Sequence, residues 1–185
     1  IIQPRTSLLY RSDAFKEKII AANVTQVIIV VAAIPSFSEE LINRCLVAAE
    51  SANISVLIVL NKADLVEPTQ AAMKTLSIYQ DLGHPVLQLS ALGDISTLHP
   101  YLAGHLNVFA GQSGMGKSTL LKSLIGELPL LGGARTTGEH LRIGYFDQQQ
   151  LEALDMQASP ALHLQRLSPT AREQEILNFL GGFNF

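Results

Sequence analysis

The apolar run Leu106-Asn-Val-Phe-Ala110 leads directly into Gly111-Gln-Ser-Gly-Met-Gly-Lys117-Ser118, and a chain with this junction has few folds open to it. The spacing G-x-x-x-x-G-K-[ST] holds at Gly111, Gly116, Lys117 and Ser118, with a further glycine at Gly114. The preceding run reads as a buried strand, and Lys117-Ser-Thr-Leu-Leu-Lys-Ser-Leu-Ile125 as an amphipathic helix, which gives a strand–loop–helix unit. The glycines let the backbone wrap closely around phosphates, with the N–H groups from Ser113 to Ser118 turned inward. The helix N-terminus adds partial positive charge at the same place. Lys117 is expected to reach the terminal phosphates, and the Ser118 hydroxyl to take a Mg²⁺ position. Gln112, Met115 and Thr119 complete the phosphate-binding stretch. A glycine-rich turn without a ligand is the alternative, and the full motif in its expected context disfavours it.

A second motif, Asn61-Lys-Ala-Asp64, lies earlier in the chain and follows the unbroken apolar run Ser55-Val-Leu-Ile-Val-Leu60, which reads as a central parallel strand. Ligand loops of open α/β sheets lie at the carboxyl ends of such strands. The Asp64 carboxylate can accept bonds from the N1–H and exocyclic amine of guanine. Adenine offers neither, and the unpaired carboxylate would cost about 1–3 kcal/mol. Asn61 is expected to tie this loop to the phosphate loop, and the Lys62 stem to cover the base. A polar turn with a helix cap is the competing reading. After the strand-like Pro85-Val-Leu-Gln-Leu89 comes Ser90-Ala91, where a small residue lets the Ala91 N–H approach the base oxygen; its value is positional only. In ordinary small GTPases the phosphate loop comes first and the base motif later. Here the order is inverted, as in a circularly permuted GTP-binding domain.

With these residues in view, positions 5–121 resemble the bacterial ribosome small-subunit-dependent GTPases A, circularly permuted GTPases of ribosome assembly. The resemblance is carried by Leu9-Tyr-Arg-Ser-Asp13, Ala21-Ala-Asn-Val-Thr-Gln-Val27, Leu57-Ile-Val-Leu-Asn-Lys-Ala-Asp64, Leu89-Ser-Ala91 and Val108-Phe-Ala-Gly-Gln-Ser-Gly114. It implies GTP and GDP as ligands, Mg²⁺ as cofactor, and the small ribosomal subunit with its rRNA as partner. It also implies an RNA-binding barrel before the GTPase domain and a zinc-binding segment after it. This chain departs from that plan. It opens on Ile1, so residues 1–20 are expected to be a remnant linker to a missing barrel, with the permuted GTPase portion over 21–128. Cys45 is the only cysteine and the five histidines show no ligand spacing, so no zinc is expected.

The Asp-x-x-Gly switch that senses γ-phosphate and Mg²⁺ in GTPases does not occur in the sequence. Thr136-Thr137 could stand in for part of the switch, though a polar loop is the plainer reading. No side chain stands out as a catalytic base, so the expectation is nucleotide binding with weak or absent turnover. Residues 114–185 resemble something else, an ABC-type ATPase of the translation-associated F subfamily, with 129–185 as a partial segment of it. The matching stretches are Gly126-Glu-Leu-Pro-Leu-Leu-Gly-Gly133, Leu141-Arg-Ile-Gly-Tyr-Phe-Asp-Gln-Gln149 and Ala171 to Phe185, and in that reading Gln148 would reach the Mg²⁺. The two resemblances overlap at Gly114 to Leu121, which suggests a fusion of two gene fragments. The second functional reading is therefore an ATP-binding fragment or a non-catalytic nucleotide-binding fusion.

Composition fits an α/β P-loop fold with a mostly parallel sheet and helices on both faces. Of 185 residues, 48% are hydrophobic and only 16% charged, against about a quarter in ordinary domains. Many positions must therefore be buried. Strands are expected at Val27 to Val31, Ser55 to Leu60, Val86 to Leu89 and Leu106 to Ala110, alternating with helices. A helix over Ser38 to Ser51 buries Leu41, Ile42, Cys45 and Leu46, opening on a capping box at Ser36-Phe-Ser-Glu39 and making Cys45 a core thiol. The net charge of −3 argues against a strong sequence-independent grip on RNA. No apolar run reaches the roughly 18 residues that span a bilayer, so no membrane is expected; a cytoplasmic location is the default. The tail alternates charged and apolar residues, with Ser168-Pro-Thr-Ala-Arg-Glu173 as a helix start. Loose docking of this tail predicts that limited proteolysis cuts first between Gln148 and Gln157, whereas uniform resistance would contradict it.

Overall fold

Two runs that read as central strands are buried from both sides, which is why they show no polar alternation. The computed structural model describes residues 4–12, 17–129 and 155–183. The chain divides into two units, Ile1–Glu139 and His140–Phe185.

In the first unit, Leu8–Ser12 (β1) and Glu17–Ala22 (β2) form an antiparallel hairpin. They are followed by Gln26–Ala32 (β3), Glu39–Ser51 (α1), Ser55–Asn61 (β4), Val66–Asp81 (α2) and Val86–Gln88 (β5). A 3-10 turn at Ser96–Leu98 and the short helix His99–Leu102 (α3) lead to Asn107–Ala110 (β6) and Lys117–Ile125 (α4). The main sheet has the order β5-β4-β3-β6 with every pair parallel. Val27 lies opposite Val56 on one side and Val108 on the other, and Leu60 opposite Gln88.

Alternate residues of β3 and β4 separate the core into two layers, as the period of two in a strand requires. Val27, Ile29, Val31, Ile58 and Leu60 pack with Ile42 and Leu46 of α1 and with Ala72 and Leu76 of α2. Ile28, Val30, Leu57 and Val59 pack on the opposite face with Leu89, Ile95, Leu98, Met115 and Leu120. The sheet is thus covered on both faces. The connections through α1 and α2 step outward from β3 to β4 to β5, and the chain then returns across the sheet to place β6 on the far side of β3. Strand order therefore reverses between β3 and β6, the kind of point where open α/β sheets bind ligands.

Residues 1–20, the stretch expected as a remnant linker to a barrel, contain β1 and most of β2, with Leu9 buried against the α1-side core. Two local expectations differ from what is observed, and one concerns β6. The run Leu106 to Ala110, expected as a buried strand, starts at Asn107, is half-buried along its length as an edge strand of the sheet, and leaves Leu106 54% exposed. The α1 cap is Ser38, whose Oγ accepts the Leu41 N–H at 3.3 Å, and not the Ser36 of the capping-box pattern. Ser38 has the extended backbone of a cap residue, and its own N–H donates to the Gln112 Oε1 at 3.0 Å. Cys45 is half-buried against the same core layer, and burial raises its thiol pKa.

In the second unit, Pro160–Leu167 (α5) and Glu173–Gly181 (α6) pack on one another. Ser159 caps α5 by accepting the Leu162 N–H at 3.2 Å, and Glu175 accepts the Arg172 N–H at 3.1 Å at the start of α6. The helix start expected from Ser168 to Glu173 is thus realised at its last residue. Thr136, Thr137 and Gln148 lie outside the described residues.

Leu57 is fully buried in β4. Leu57→Ala is expected to lower unfolding stability by about 2–5 kcal/mol in denaturant titration.

Candidate functional site

Every strand of the main sheet points the same way, so the loops after β3, β4, β5 and β6 emerge at one edge. This alone gathers residues 33–38, 61–65, 89–91 and 111–116, whatever their order along the chain.

The loop after β6 turns through three glycines with positive φ, at 144° for Gly111, 81° for Gly114 and 86° for Gly116. A side chain is excluded at two of them by contact as well as by dihedral. A Cβ on Gly111 would collide with the Val30 carbonyl, and one on Gly116 with the Asn61 Nδ2. Met115 between them turns inward: it is buried, and its sulfur accepts the Ala32 N–H at 3.1 Å. Among the described residues, the backbone N–H groups from Ser113 to Thr119, apart from that of Met115 at the close of the Ser113–Gly114 turn, meet no hydrogen-bond acceptor. Unpaired donors at a helix start and in a glycine-rich turn form an anion cradle.

Asn61 is the polar centre of the site, only 2% exposed. Its Nδ2 donates to the Met115 carbonyl at 2.9 Å, and its Oδ1 accepts the Ala91 N–H at 2.8 Å. The expected tie between Asn61 and the phosphate loop is therefore present. Ala91 differs from expectation, because its N–H is given to Asn61 instead of being turned to a base oxygen. The Ala63 N–H bonds the Leu89 carbonyl at 3.1 Å and adds a second link between the same two loops. Ser90 is half-buried beside them, and Asp64 is exposed.

Both lysines are engaged with the loops. Lys62, at φ 63°, donates to the Ile34 carbonyl at 2.7 Å and to the Gly114 carbonyl at 2.9 Å, so it clasps two loops with its ammonium group. Lys117 donates to the Gly111 and Gln112 carbonyls, the latter at 2.9 Å, and burial lowers its pKa. An ammonium has three donors, so Lys117 keeps one for an incoming anion. Ser118 is exposed at the head of α4 and Thr119 half-buried beside it. Gln112 lies within the expected phosphate-binding stretch but also serves another loop, and one further participant, Ser123, carried no motif signal. Gln112 accepts the Ser38 N–H, and the buried Ser123 of α4 donates to the Ala91 carbonyl at 2.7 Å. Ser123 is marked in the sequence only as a hydroxyl among apolar neighbours.

Among the described residues, no three His, Cys, Asp or Glu side chains group to hold a metal ion, and no helix is long and apolar enough to cross a membrane.

A parallel sheet with a glycine-rich loop at its switch point, preceded in sequence by the loop beside it, defines a P-loop nucleotide-binding fold in circularly permuted order. Residues 2–141 match the family model described as RsgA GTPase, and the chain belongs to that family. It is 51% identical over 175 residues to the small ribosomal subunit biogenesis GTPase RsgA of Nitrosospira multiformis, covering 90% of this chain and 56% of that protein. Its identity to the Nitrosomonas europaea protein of the same name is 42% over 187 residues, covering 95% of this chain and 59% of the other. The chain thus spans little more than half the length of these relatives. Among solved structures it is similar to YjeQ from Thermotoga maritima, with a TM-score of 0.56 and 34% identity over 68% of this chain and 44% of that one. It is also similar to YloQ, described as a circularly permuted GTPase, with a TM-score of 0.50 and 29% identity over 68% of this chain and 51% of that one.

Gly116→Ala would force a methyl group into Asn61. The expected outcome is a cooperative melt shifted to lower temperature together with loss of nucleotide binding, read by calorimetry and by fluorescent nucleotide titration.

Proposed function

We propose that this chain binds a guanine nucleotide with Mg²⁺, and that it does so as part of a GTPase acting in small ribosomal subunit assembly. The observation that carries the reading is the Asn61 carboxamide, which joins the Asp64 loop, the Ala91 loop and the glycine-rich loop in one hydrogen-bonded unit. Residues 21–128 hold the whole of it. Gly111 to Thr119 cradle the phosphates, with the N–H groups from Ser113 onward and the remaining Lys117 donor directed at phosphate oxygens. Asp64 reads the guanine N1–H and amine. Lys62 and Asn61 hold its loop in place, and Ser90 and Ala91 border the base.

Mg²⁺ prefers oxygen ligands and keeps several from substrate and water. The exposed Ser118 hydroxyl, at the start of α4 and beside the cradle, fits such a role. When bound, the ion would neutralise charge on the phosphate oxygens. The role in subunit assembly, with rRNA as partner, is brought from the relatives named for it. An ATP-binding reading of residues 129–185 is not favoured, because the two relatives named above match over 90% and 95% of this chain, beyond the part the first resemblance accounts for.

Titration with fluorescent GDP and ATP analogues in Mg²⁺ tests the reading. GDP is expected to bind more tightly than ATP, and Asp64→Ala to weaken GDP at least tenfold while leaving ATP unchanged. Adenine binding equal to guanine binding and indifferent to the substitution would contradict it.

A further inference from the structure

The base-side loop is fixed at both backbone groups of one residue. The Ala91 N–H donates to Asn61 and the Ala91 carbonyl accepts from the Ser123 hydroxyl at 2.7 Å. Ser123 lies on α4, the helix that begins at the phosphate cradle, and Asn61 donates to Met115 within the cradle itself. The four groups close a circuit running from the phosphate loop through Asn61 and Ala91 to α4, and back along the helix to Gly116.

Ser123 is 1% exposed, so its hydroxyl needs an internal partner. A helical serine commonly bonds back to a carbonyl of its own helix, one turn earlier. This one reaches out of the helix to a loop instead. Alanine would suit the helix better, so helix formation does not account for a serine here.

We infer that Ser123 is a positioning residue for guanine recognition, coupling the phosphate helix to the base loop through the Ala91 carbonyl. It touches neither phosphate nor base. Its hydroxyl sets where Ala91 sits, and Ala91 in turn holds the oxygen of Asn61. The inference rests on the guanine-nucleotide reading given above.

The full 185-residue chain with Ser123→Ala tests this, using fluorescent GDP dissociation and competition by inorganic pyrophosphate, which engages the cradle without a base. The substitution is expected to speed GDP dissociation about fivefold to tenfold, the size of one lost hydrogen bond. The pyrophosphate competition constant should stay within twofold of the unsubstituted protein. Ser123→Thr, which keeps a hydroxyl, should recover most of the GDP retention. Leu124→Ala serves as a control that removes apolar packing from the same helix but no hydrogen bond, and it should leave the GDP-to-pyrophosphate ratio alone. Unchanged GDP dissociation in Ser123→Ala overturns the inference. So does equal loss of GDP and pyrophosphate binding, or a Leu124→Ala protein with the same altered ratio, since either makes Ser123 a packing residue only. An unsubstituted protein that binds pyrophosphate but no guanine nucleotide overturns the guanine reading and this inference with it. A protein that binds GDP but is insensitive to Ser123→Ala overturns this inference alone.

Discussion

The site depends on one buried carboxamide. A primary amide presents a donor and an acceptor a short distance apart, and Asn61 uses them on two different loops, Met115 on one side and Ala91 on the other. Removing it would leave a buried carbonyl and a buried N–H unpaired, at about 1–3 kcal/mol for each. Neither aspartate nor leucine replaces it, since aspartate lacks the donor and leucine lacks both groups. The same amide explains Gly116, because the Nδ2 occupies the place a Cβ would take. Two residues far apart in sequence thus constrain each other.

Around that amide the arrangement is independent of chain order. Four parallel strands deliver their C-terminal loops to one edge, and the loops are then joined by Asn61, Lys62, Ser123 and the Ser38–Gln112 bond. A fold assembled in this way tolerates new termini in a connection far from the edge. The inverted order of the two motifs therefore leaves the geometry of the site intact. The chain spans 56% of the length of the Nitrosospira multiformis relative, and the whole of this site falls within that span.

The parts of the fold driven by burial on two sides were legible in the sequence. Val27 to Val31 and Ser55 to Leu60 show uninterrupted apolar runs because α1 and α2 cover one face and α4 the other, and both strands extend one residue beyond expectation at their C-termini, to Ala32 and Asn61. The phosphate loop was legible because its glycines answer to dihedral and contact constraints that no other residue meets. The β1–β2 hairpin was not, because it buries little: Leu9 reaches the core while Tyr10, Ile19 and Ile20 are exposed, which removes the alternation that marks a half-buried strand. Ser38 was passed over as the helix cap because the competing Ser36 satisfies the same local pattern, and the Ser38 bond to Gln112, distant in sequence, leaves no mark in either pattern. Ser123 and the clasp made by Lys62 were invisible for the same reason. Their partners are backbone carbonyls of other loops, and a carbonyl leaves no mark in a sequence.

The central claim is that the base loops and the phosphate loop form one binding unit. Amide chemical-shift mapping of the protein on addition of GDP with Mg²⁺ tests it most directly. The amides of Asp64 and Ala91 are expected to shift together with those of Ser113 to Ser118, at the same nucleotide concentration. Shifts confined to the phosphate loop, with Asp64 and Ala91 unmoved at saturation, would contradict it.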